Sequence, residues 1–140
     1  MTCKEQEFKL RVVGGLDFYE VSDAFIKGLE NHQTYEACFW AFVLLQSGYY
    51  KHIWKHLTIY ASQLSNNRII EISALRNCFD LNTTAKDRKT EVGFCYICRA
   101  INSLCDTKNT TIDLTNSIIE KYCKGDWRNT FPSQFAKNRV

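Results

Sequence analysis

Cys95 and Cys98 stand two residues apart with Cys105 further along, a spacing at which thiols can chelate zinc or cycle through a disulfide. A zinc centre needs a turn that brings the thiolates to one point, and four ligands. Here the pair lies in an uninterrupted apolar run and no second CxxC follows. Cysteine is among the most readily buried residues, so core packing is the preferred reading. His52 and His56 form the other pair, four residues apart on one helix face, which suits two metal ligands. HIWKH lacks the glutamate that a metalloprotease carries beside its first histidine, and no third ligand is apparent. A solvated or interface-lining face is preferred there. Any Cys–His or Ser–His nucleophilic pair would have to be assembled across helices, and no local signature marks one. No catalytic residue, metal or cofactor is therefore expected.

Phosphates are the next chemistry to weigh. G-x-x-x-x-G-K-[ST] does not occur, so the backbone cradle, lysine and magnesium-binding hydroxyl of nucleotide hydrolysis are missing. Gly14-Gly15 is too short to replace them. Basic and aromatic residues do interleave in the tail, as Trp127, Arg128, Phe131, Phe135, Lys137 and Arg139. Such a tail can stack on bases and neutralise phosphates. Lys86, Arg88 and Lys89 make a second small patch, and Lys108 adds one cation in a later loop. These eight, from Lys86 to Arg139 without the two phenylalanines, are the candidate nucleic-acid contacts. Against them, Asp126 interrupts the tail and a net charge of +3 is small, so tail packing and a solvated loop are preferred.

Helices must position all of these groups. Phe18, Val21, Phe25 and Leu29 recur three or four apart, with Asp17, Glu20, Asp23, Lys27 and Glu30 opposite them. Tyr35 to Leu45 is apolar on nearly every side, which predicts a buried central helix ended by Gly48. A third helix turns Tyr50, Ile53, Trp54, Leu57, Tyr60, Ala61 and Leu64 inward, and Lys51, His52, Lys55 and His56 outward. Ile69, Ile72, Leu75 and Phe79 make a fourth, starting near Arg68, and Thr84-x-x-Asp87 can start a further turn. The fifth runs from about Thr90 to Cys105, again apolar nearly all round. Thr110-x-x-Asp113 can cap a sixth, striped by Ile112, Thr115, Ile118, Ile119 and Tyr122 and stopped by Gly125. The expected fold is all-α, a single bundle of about six helices. Residues 1–16 are a lead-in, 17–125 the helical domain and 126–140 the basic and aromatic tail.

A chain of 140 residues, 45% hydrophobic and 24% charged, has enough apolar material for one core and is not a disordered composition. No apolar run reaches a membrane span, the start is not a signal peptide, and seven cysteines without one predict reduced thiols in the cytoplasm.

The run from Phe18 to Lys27 resembles the opening helix of the C-terminal domain of the MgsA/RarA ATPases. These are clamp-loader-related, replication-associated recombination proteins of the AAA+ class. Ala37 to Leu45 with Phe39-Trp40, then Ser47-Gly48, then Ile53 to Ala61-Ser62 follow that family's order. Asp106-Thr107-Lys108-Asn109 resembles its Pro-Lys-Ser-Asn turn with only Lys108 in register. Its acidic turn is replaced here by Leu64-Ser65-Asn66-Asn67, and Lys55-His56 stand where it tends to carry arginines. The resemblance implies an oligomerisation domain without a motor: a non-enzymatic dimer or tetramer working at replication or recombination. A stand-alone relative is expected, pairing with a full-length ATPase that carries the same domain. Phe39, Trp40, Tyr49, Tyr50, Trp54 and Tyr60 are the expected oligomer contacts, because one small bundle has limited room for so many rings. Weak DNA contact is a further expectation and membrane association is not expected. The alternatives are a single-stranded nucleic-acid adaptor, and a metal or thiol protein built on Cys95, Cys98, His52 and His56.

Overall fold

Side-chain oxygens start three of the five α-helices among residues 15–105, the part of the chain that the computed structural model describes. Asp17 accepts from the Glu20 amide at 3.2 Å and opens α1, Phe18–Glu30. Ser65 accepts from Arg68 at 3.3 Å and opens α4, Asn66–Asn82, two residues before the expected start. Thr90 accepts from Val92 at 3.3 Å and opens α5, Glu91–Leu104. Each satisfies an amide that the first turn leaves without an intrahelical acceptor. Between them stand α2, Thr34–Gln46, and α3, Tyr50–Leu64. Gly48 takes φ +92° in the turn that joins them, the left-handed conformation foreseen for it. The described residues are thus helical as the sequence predicted. The expected sixth helix, Lys108 and the tail with Trp127, Arg128, Lys137 and Arg139 lie outside them.

Every residue from Ala37 to Leu45 is buried, so α2 is the central helix. It touches α1, α3 and α5. Gly28 lets α1 approach closely, since a Cβ there would stand 3.0 Å from the Ala37 backbone. On the opposite side, the Phe42 and Phe94 rings meet edge-on at 5.0 Å, tying α2 to α5. The parallel course of α1 and α3 follows from two contacts: Phe18 against Tyr49 at 4.6 Å, and Ser22 against His52 one turn later. Antiparallel pairing of α4 and α5 is fixed by Arg68 with Ser103 at one end and Asn82 with Tyr96 at the other. Trp54, wholly buried, packs on Phe79 at 5.5 Å and joins α3 to α4. No helix among the described residues is long and apolar enough to cross a membrane.

Candidate functional site

His52 and His56 do not face solvent as the sequence reading placed them. Both are half-buried, their rings 4.4 Å apart, because α1 lies alongside α3 and brings Phe18 to 4.8 Å from His52. Burial, then the neighbouring His56 and Lys55 charges, lowers the His52 pKa to about 4, and burial with Lys55 lowers that of His56. Both imidazoles are therefore neutral at pH 7. Ser22 Oγ stands 2.7 Å from His52 Nε2, a Ser–His pairing that the helices assemble. Sequence spacing could not show it, since thirty residues separate the two. Ser22 is buried, and the cavity of about 40 Å³ beside His56 is lined by Leu29, Tyr60 and neighbours without reaching Ser22. This arrangement holds α1 to α3.

The cysteines divide by depth. Cys98 is buried in α5 and Cys95 half-buried, so the expectation that both are core residues holds fully only for Cys98. Cys105, at the end of α5, is buried. Burial pushes its thiol up to about 11. Such a thiol stays protonated and is a poor nucleophile or metal ligand. Among the described residues no group of three or more His, Cys, Asp or Glu is placed to hold a metal ion.

Of the six rings expected at an oligomer surface, Phe39, Trp40 and Trp54 are 5%, 3% and 0% exposed. They are core side chains, which corrects the expectation for these three: a ring already out of water gains nothing from a second burial. A central helix enclosed on every side makes the room that the ring count seemed to lack. Tyr49, Tyr50 and Tyr60 are half-buried, packed against that core.

Exposed large apolar side chains occur on every described helix, and the two most exposed, Ile70 and Leu81, share α4. On α4, Ile72 and Phe79 face the core, while Ile70 is 67% and Leu81 84% exposed. At about 100° per residue, Ile70, Leu81, Ala74 and Cys78 share one line of the helix, flanked by Ser73 and Asn77. That outer face carries no charge over about half the circumference, from Asp80 round to Glu71. Its signal was legible: isoleucine and leucine eleven positions apart lie three turns along the same side.

Lys86 and Lys89 are exposed and Arg88 is half-buried, on the turn between α4 and α5. Thr84 and Asp87 hold that turn reciprocally: the Thr84 hydroxyl donates to the Asp87 carboxylate at 3.1 Å and accepts from its amide at 3.3 Å. A short 3-10 stretch, Asp87–Lys89, follows, with the Gln46 side chain donating to the Lys89 carbonyl. Arg88 reaches back to α3, its guanidinium carbon 4.6 Å from the centre of the Tyr50 ring and Nη1 donating to the Tyr50 hydroxyl at 3.2 Å. Gly93 makes this possible, because a Cβ there would collide with the Arg88 carbonyl. Compared with known proteins, the chain matches no family model, no curated protein and no solved structure.

Proposed function

We propose that this chain is a non-catalytic helical assembly module that associates with a second copy of itself through the outer face of α4. The observation that carries the reading is the exposed, charge-free line of Ile70, Ala74, Cys78 and Leu81. A long apolar residue at each end with small residues between them is a self-complementary order. In an antiparallel α4 pair, Ile70 of one copy stands opposite Leu81 of the other, and Ser73, Ala74 and Cys78 let the helices approach. That is the isologous contact of a two-fold dimer. The resemblance to the MgsA/RarA oligomerisation domain supports the same reading, and adds a replication or recombination setting and an ATPase bearing a similar domain as partner.

One helix face buries less than the roughly 800 Å² per partner of a standard interface, so the association is weak. Sedimentation equilibrium from about 5 to 500 μM spans the range where such contacts populate. Self-association that Leu81→Asp with Ile70→Asp abolishes, at unchanged helicity and melting temperature, is the expected result. A wild-type chain that stays monomeric throughout refutes the proposal. The nucleic-acid adaptor is a second reading, favoured only by Lys86, Arg88 and Lys89 standing on one turn. Salt-dependent oligonucleotide binding tests it.

A further inference from the structure

The turn after α4 and the start of α3 border a half-open cavity of about 130 Å³, lined by Leu45, Gly48, Tyr50, Ala85, Arg88 and Lys89. At about 30 Å³ per water it has room for roughly four waters, enough for a tetrahedral oxyanion. Two of its six lining residues are cations and none is acidic. Arg88 makes no ion pair with a carboxylate among the described residues. Its Nε–H is buried with no acceptor, although Nη1 is held by Tyr50. The guanidinium is part-buried with no such carboxylate partner, and the planar fork of an arginine suits phosphate oxygens.

The surroundings point the same way. α3 begins at Tyr50 in the cavity lining with no side-chain cap on its first amides, so the positive end of its dipole lies there. Gly48 also lines the cavity and leaves open space where a Cβ would stand, although its N–H is donated to the Leu45 carbonyl. We propose that this cavity binds a phosphate group, with Arg88 as the principal ligand and Lys89 as the second charge. The proposal is independent of self-association.

The test is titration of the full chain with inorganic phosphate against sodium chloride at constant ionic strength, followed by calorimetry and phosphorus NMR. A saturable one-to-one site is expected, weakened about tenfold or more in Arg88→Gln and less in Arg88→Lys, which keeps the charge but not the fork. Lys86→Gln, outside the cavity lining, leaves it unchanged. Ala85→Glu supplies an internal carboxylate, and is expected to block phosphate while the fold remains intact by circular dichroism. Phenyl phosphate separates the sources. Tighter binding than inorganic phosphate assigns the site to a phosphomonoester carried on a larger ligand, and weaker binding assigns it to the free anion. Equal responses to phosphate and chloride, or undiminished binding by folded Arg88→Gln, overturn the proposal.

Discussion

Replacing Trp54 with phenylalanine sets two opposing effects against each other at the centre of the fold. Trp54 is wholly buried against Phe79, and its indole N–H has no hydrogen-bond partner. Phenylalanine is smaller by about 40 Å³, which at about 24 cal/mol per Å³ leaves a cavity costing about 1 kcal/mol. The lost apolar carbons add about 1 kcal/mol of transfer free energy. Removing an unsatisfied buried donor returns about 1–3 kcal/mol, because that group forfeits its hydration for nothing in the folded state. The sum lies within about 1 kcal/mol of zero, whereas Trp54→Ala should cost about 3–5 kcal/mol. Urea unfolding followed by far-UV circular dichroism measures both. A Trp54→Phe cost above about 2.5 kcal/mol would refute the reasoning, since a loss of that size requires a hydrogen bond on the indole N–H.

Three further outcomes are expected. His52 is held at about pKa 4 against an ordinary value of 6.5, and His56 is lowered too, so the unfolded chain binds more protons than the folded one between those values. Stability is then complete above about pH 6.5 and declines as the pH falls towards 4; melting temperatures across that window should flatten in His52→Gln. Gly28→Ala gains up to about 1 kcal/mol of helix propensity but forces α1 from Ala37, at about 1–3 kcal/mol, so the melting temperature should not rise. Cys78 is exposed and Cys38 buried; under native conditions, mapped alkylation should modify Cys78 rapidly and Cys38 only on unfolding.

Where one face of a helix is apolar and the other charged, the sequence already described the fold. The Phe18–Leu29 stripe is the buried face of α1, and the apolar run before Gly48 is the enclosed helix α2. What stayed hidden depended on neighbours distant in sequence. His52 looked solvated because its own helix places lysines beside it, and only the parallel course of α1 brings Ser22 and Phe18 against it. A ring count alone suggests surplus at Phe39, Trp40 and Trp54, whereas the apolar patterns of α2 and α3 already place these rings inward. On α4 the core stripe of Ile69, Ile72, Leu75 and Phe79 drew attention from Ile70 and Leu81 on the reverse side. Arg88 reads as one cation in a loop until the turn between α4 and α5 places it over Tyr50.

The enclosed helix α2 also sets a problem of timing during synthesis. Phe42 rests against Phe94, so one wall of α2 is made of residues translated about 50 positions later. At roughly 5–20 residues per second, a nearly uniform apolar helix leaves the ribosome some 3–10 seconds before that wall exists. α1 alone cannot cover it, because α2 has no polar side to turn outward. The nascent chain therefore passes through an interval in which Phe42, Val43 and their neighbours need shelter from other chains, inside the exit tunnel or on a holding chaperone.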